Sequence, residues 1–176
     1  MSKQETKNKF VDAFFSLYRE KPINKISIKN ICDKAGFHRS TFYEYYMDIF
    51  DLLEQEEQAI YALQKELILT PLENGALTIG TKNFLFSLKQ LFQQKGDKIE
   101  QLIGINGNPS FRKNLQDRIK LAILPQVQKR FGPHSEYLAE FISSGILSTC
   151  ETAYKNKEDI DTVLNNVYPF VSKMFL

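Results

Sequence analysis

The sequence predicts an all-α protein, with an N-terminal helix-turn-helix domain followed by a C-terminal helical bundle. Three observations predict it. Apolar residues recur at helical spacing over nearly the whole chain. Strand-like alternation is nearly absent. Residues 27–53, SIKNICDKAGFHRSTFYEYYMDIFDLL, read as two short helices around a tight Ala35-Gly36 turn, then the start of another helix.

The elements follow in order. A first helix over about residues 4–20 spaces Phe10, Phe14, Leu17 and Tyr18 on one face, widened by Val11 and Phe15, and Lys21-Pro22 ends it. Ser27 suits the N-cap of a second helix, Ile28 to Lys34, because its hydroxyl can accept an orphan backbone N–H. Gly36 is a left-handed stop. A third helix runs from about His38 to Tyr46. Asp48 caps a long fourth helix reaching about Leu69, which Pro71 closes. Phe84, Leu88, Leu91 and Phe92 mark a helix ending near Gly96, and a short helix around 98–103 leads into a turn over 104–109. Phe111, Leu115, Ile119 and Ile123 recur every four residues on the next helix, which Pro125 must kink or break. Beyond the Gly132-Pro133 linker, Leu138, Phe141, Ile142, Gly145 and Ile146 mark another helix. Ile160, Val163, Leu164, Val167 and Val171 mark the last, with Pro169 as a second kink. The expected division is residues 1–47 for the helix-turn-helix domain and 48–176 for the C-terminal domain, joined by the fourth helix.

Composition sets the outer limits. A chain of 176 residues, 43% hydrophobic with 14 Phe and 8 Tyr, can bury a real core. No stretch approaches the roughly 18 apolar residues of a membrane span. The N-terminus, MSKQETKNKF, lacks the apolar centre of a signal peptide. The expected location is therefore the cytoplasm, on the nucleoid, with no membrane partner. Cys32 and Cys150 read as two buried thiols in a reducing compartment, with a disulfide left open. Net charge is +2. Residues 1–50 carry nine Lys/Arg and six Asp/Glu, so the basic excess lies where the helix-turn-helix lies.

Ile28, Ile31, Cys32, Phe42 and Tyr46 can form an inward face that locks the second and third helices together. Lys29, Arg39, Ser40, Tyr43 and Glu44 are left facing outward. Arg39 then sits in the first turn of the third helix, where its fork of donors can reach guanine O6 and N7. Ser40 and Thr41 suit close approach to base edges or phosphates. Tyr43 can meet a phosphate or a thymine methyl. The start of the second helix offers N–H groups to a phosphate. The plainer alternatives are solvated charges at Lys29 and Arg39, a core role for Tyr43, and simple packing for Cys32. His38 has only His134 as a second histidine and no Cys/His cluster nearby, so no metal or cofactor is expected.

Three runs closely resemble the helix-turn-helix of the tetracycline-repressor (TetR) family of bacterial transcriptional regulators. They are Ser27-Ile-Lys-Asn-Ile-Cys32, Ala35-Gly-Phe37 and Ser40-Thr-Phe-Tyr-Glu-Tyr-Tyr46, with Leu52-Leu53 matching the start of the family's fourth helix. The likeness covers about residues 5–55. The segment from Leu102 to Phe111 and the small-residue stretch at Ser143-Ser-Gly-Ile-Leu also resemble the C-terminal domain of one branch. The resemblance implies a homodimer, with each third helix in a major groove of a palindromic operator on double-stranded DNA. By position, Lys29, Arg39 and Ser40 would read bases. Ser27, Thr41, Tyr43 and Tyr45 would touch phosphates or groove walls, and His38 could donate to a phosphate if protonated. Two departures matter: the family usually has a phosphate-gripping Lys where this chain has Ile49, and a small polar cap where it has Asp48. Asp48 and Asp51 beside it suit a helix N-terminus but repel phosphate.

The C-terminal helices are implied to form the dimer interface and often a ligand cavity. Phe84, Leu88, Ile103, Phe111 and Ile119 could line a cavity for an apolar or amphipathic small molecule, or be plain core. Ser143, Ser144, Gly145 and Ser148 could allow close helix approach across a dimer, or pack inside one subunit. The expected function is a dimeric DNA-binding regulator, a repressor released by a small effector; the alternative is control by a protein partner, or no effector. An enzyme is not expected and no catalytic residue is assigned. The chain has no HExxH, GxGxxG, phosphate loop or nucleophile elbow.

Overall fold

The computed structural model describes residues 2–104 and 106–175. Ile105, inside the expected turn, lies outside the described residues. Among the described residues there are nine α-helices and no strand: α1 (Lys3–Glu20), α2 (Ile28–Ala35), α3 (Arg39–Tyr43), α4 (Ile49–Gln64), α5 (Thr70–Glu73), α6 (Lys82–Ile103), α7 (Pro109–Phe131), α8 (Glu136–Lys155) and α9 (Ile160–Phe175). None is long and apolar enough to cross a membrane.

The chain forms two compact units, Met1–Ala59 with Gln101–Asn108, and Ile60–Glu100 with Pro109–Leu176. The first unit thus extends beyond residue 47 and takes in the α6–α7 turn. Within it, Asn108 donates to the Glu57 carboxylate at 2.9 Å. Gly107 is required there, because a side chain would collide with the Leu102 carbonyl. The core of this unit is aromatic. Phe10 and Phe14 of α1 and Phe42 of α3 are fully buried, and the Phe10 ring lies 5.1 Å from Phe37 and 5.4 Å from Phe42.

In the second unit, α7 and α8 meet along a polar ladder. Arg112 pairs with Glu151 at 2.8 Å, and Lys120 with Glu140 at 2.6 Å. Between them Gln116 donates to Glu140 at 2.6 Å and to Ser144 at 2.8 Å.

Several boundaries differ from expectation for identifiable reasons. The third helix is shorter than expected, beginning at Arg39 with His38 as its N-cap and ending at Tyr43. The helix expected to end near Gly96 continues to Ile103, absorbing the separate short helix expected around 98–103. Gly96 is there because the Tyr154 ring lies directly on its backbone, with the Tyr154 hydroxyl donating to the Phe92 carbonyl at 2.6 Å. Pro71 does not close α4. A π-turn over Lys65–Leu69, with Thr70 N–H bonding to the Lys65 carbonyl, widens the helix just before it. That widening accommodates a ring that would otherwise crowd the preceding turn. Pro125 and Pro169 stay inside α7 and α9. Both are exposed, as are Leu121 and Asn165 one turn earlier, so water can serve the carbonyls that the prolines leave unbonded.

Candidate nucleic-acid interface

The interface is built from a cap, a turn and an anchor. Ser27 accepts from the Asn30 N–H at 3.1 Å, and Asn30 returns a bond to the Ser27 backbone, fixing the start of α2. At the other end Gly36 adopts φ 76°, and its N–H and that of Phe37 bond to the Cys32 carbonyl at 2.9 and 3.0 Å. This left-handed stop turns the chain into α3. Phe42 then anchors α3 to α1. It lies edge-on to Phe10 and 5.3 Å from Tyr46, itself buried.

With Phe42 inward, the opposite side of α3 is free. Arg39 and Ser40 in its first turn are exposed, as are His38 at the cap, Lys29 on α2 and Ser27. Tyr43 is 58% exposed, which removes the core reading for its ring. Thr41 is half-buried. Tyr45 is also half-buried, its ring 6.1 Å from Phe10, so it serves the core as well as the surface. Among the described residues Arg39 makes no ion pair. Burial pushes the Cys32 thiol up, opposed by the positive charge of Arg39. Cys32 is a free, buried thiol, and so is Cys150.

The far corner of the segment is different. Asp48 accepts from the Phe50 and Asp51 N–H groups, both at 2.8 Å, and Asp51 accepts from the Met47 N–H at 2.7 Å. Gln55 bridges Asp51 to Lys7 of α1, at 3.1 and 2.9 Å. The first turn of α4 is therefore sealed by its own carboxylates. Ile49 is half-buried, while Met47 and Phe50 are 80% and 57% exposed. That apolar tip escaped sequence reasoning, because residues next to a helix start carry no periodicity that separates inside from outside.

The Met47 N–H, then Gln55, holds the Asp51 carboxyl below the usual carboxylate range. Since the folded value is the lower one, the stabilisation is complete above the ordinary carboxylate range, near pH ~4. It is lost as pH falls through the folded value. Asp51→Asn is thus expected to be less stable than the parent at pH 7, with the gap closing on acidification. Urea melts at a series of pH values check it, and a gap that stays constant down to the acid limb contradicts it.

No protein-family model and no curated protein matches the chain. Solved structures do. A TetR transcriptional regulator from Streptococcus agalactiae 2603V aligns over 96% of this chain and 94% of its own, with TM-score 0.61 and 23% identity. The chain has the TetR-regulator fold. A dihydroxyacetone kinase operon activator, DhaS, shares it over 97% of this chain and 96% of its own, with TM-score 0.57 and 14% identity.

In the second unit of this TetR-type fold, the expected C-terminal sites separate. An apolar cavity of about 220 Å³ lies between α6, α8 and α9. Of the five expected pocket residues, Phe84 and Leu88 line it. Ile103 does not, because it ends α6 within the first unit. Phe111 is buried against Tyr61, ring centroids 5.2 Å apart, and Ile119 is buried on α7 away from the cavity. Of the expected dimer contacts, Ser143 is fully buried and donates to the Glu140 carbonyl of its own helix. Ser144 accepts from Gln116 of α7. Both are therefore packing residues of the chain itself. Gly145 and Ser148 are exposed, although Ser148 also accepts from Arg112 at 3.4 Å.

Proposed function

We propose that the protein is a dimeric, sequence-specific DNA-binding regulator of transcription, acting as a repressor that a small effector releases. The observation that carries the reading is the first turn of α3. It presents Arg39 and Ser40 to solvent while Phe42 pins the helix from behind. Such a helix end can enter a major groove, with Arg39 reading guanine and Ser40 or Lys29 beside it. Ser27, His38, Thr41, Tyr43 and Tyr45 would serve as phosphate and groove-wall contacts. The role is one of binding, without catalysis, in the cytoplasm at the nucleoid.

The exposed stripe of α8 supports dimerisation. Tyr137, Phe141, Gly145 and Ser148 follow helical spacing on one face, with Tyr137 77% and Phe141 63% exposed. Phe170 of α9 is 65% exposed as well. Large apolar groups left in water on one unit fit a second copy. Gel filtration with light scattering tests it, and a monomer at micromolar concentration counts against it.

The sealed start of α4 lowers the number of phosphate contacts. Ile49→Lys is expected to steepen the dependence of log K on log salt by about 0.9 for each added contact. Operator binding measured across a salt series gives the slope, and an unchanged slope removes this corner from the interface. The DhaS neighbour is an operon activator, which favours activation as the second reading. Transcription from an operator-bearing template, with and without the protein, separates the two.

A further inference from the structure

We infer that Met47 and Phe50, at the corner between α3 and α4, are specificity-determining residues that meet thymine methyl groups of the operator. This rests on the regulator reading above and adds a second, apolar mode of base reading to the same site.

The two side chains take no part in the core. Both are exposed, while Ile49 between them turns partly inward. The backbone that carries them is nonetheless held firmly. Asp51 accepts from the Met47 N–H, Asp48 accepts from the Phe50 N–H, and Gln55 ties Asp51 to Lys7 of α1. A contact made from a fixed frame loses less freedom on binding. The corner also continues the face that reads DNA. Tyr43 lies one turn after Arg39 on the same side of α3 and is exposed, and Met47 follows four residues later.

The chemistry of the corner says what it can touch. Its N–H groups at Met47, Phe50 and Asp51 are already bonded to carboxylates, so it cannot hold a phosphate as an open helix start does. Asp48 and Glu44, both exposed, push the phosphate strands away. The groups left to make contact are a thioether and a phenyl ring, and neither carries a donor for a base edge. The apolar group that a base presents in the major groove is the thymine C5-methyl. A ring or thioether closing over that methyl takes both out of water. Arg39 would then read guanine by hydrogen bonds and the corner would read thymine by shape.

The test uses the full chain and the duplex it enriches from a random DNA pool. Thymines of that duplex are replaced one position at a time, in both half-sites, by deoxyuridine, which removes only the methyl. Anisotropy should show parent affinity falling about fourfold for each methyl lost at a contacted position. A variant carrying both Met47→Ala and Phe50→Ala should bind the thymine duplex more weakly than the parent and be blind to the same replacements. Its slope of log K against log salt should match the parent's, because no cation has been removed. Its Tm should match as well, since neither side chain is buried. Parent-like operator affinity in the variant would overturn the proposal, and so would a deoxyuridine penalty that the variant retains at every position or a shallower salt slope. Loss of binding in Arg39→Ala without loss in the corner variant overturns this proposal alone, whereas a chain that enriches no duplex overturns the DNA reading with it.

Discussion

Arg39→Ala should abolish discrimination between operator and random DNA while leaving weak, salt-sensitive binding intact. Arg39 is exposed in the first turn of α3 and, among the described residues, is held by no ion pair, so its fork of donors is available to a base edge. A bidentate arginine–guanine pair is worth about 1–3 kcal/mol of discrimination. Two subunits reading two half-sites double that to about 2–6 kcal/mol, a loss of at least ~30-fold in specific affinity. Non-specific binding depends on phosphate neutralisation and falls much less. Arg39→Lys keeps the charge without the fork and should recover only part of the loss. Anisotropy titrations with operator and with scrambled DNA measure both quantities. Operator affinity unchanged in Arg39→Ala would remove this residue from base reading. Tm should stay at the parent value, since an exposed side chain with no partner adds little to stability.

Phe42→Ala should do the reverse, losing DNA binding because α3 loses its seat. The Phe42 ring is fully buried and packs on Phe10, Tyr43 and Tyr46 at 5.4, 5.9 and 5.3 Å. Truncating a buried phenylalanine costs about 3–5 kcal/mol. A typical domain has only about 5–15 kcal/mol in total. The helix it anchors has five residues, too few to stand alone in water. Urea unfolding should show the drop, and hydrogen exchange should show protection lost over residues 28–46 before the C-terminal helices. A variant with parent-like stability and exchange would mean that α3 is held by something other than this aromatic cluster.

The helix-turn-helix was readable in the sequence because its determinants are local. Ser27 and Gly36 act through neighbours a few residues away, and the Phe42–Tyr46 run, though it seats on Phe10 of α1, shows its inward face in its own spacing. Of the inward set, Ile31, Cys32, Phe42 and Tyr46 are buried and Ile28 is half-buried, and Lys29, Arg39, Ser40, Tyr43 and Glu44 are exposed. The C-terminal unit was readable only as helices. Gly96 looked like a helix end because the ring that needs it, Tyr154, lies far along the chain. Phe111 and Ile119 looked like cavity residues because apolar periodicity marks burial without saying what fills the space. Ser143 and Gly145 looked alike as small residues, yet two positions along α8 are about 200° of rotation, which puts one inside and the other in water. At Pro125 and Pro169 the helix runs on through the proline, whose exposure lets water serve the carbonyl left unbonded.

The central claim is that α3 reads a palindrome as one half of a dimer. Repeated selection of bound sequences from a random double-stranded DNA pool, using the full chain, tests it most directly. The account predicts an enriched inverted repeat whose half-sites are centred about 34–36 Å apart or a multiple of a turn. A guanine in each half should stop being selected when Arg39→Ala replaces the parent. Retention with no sequence enrichment, or enrichment of a single unrepeated motif that Arg39→Ala leaves unchanged, would contradict it.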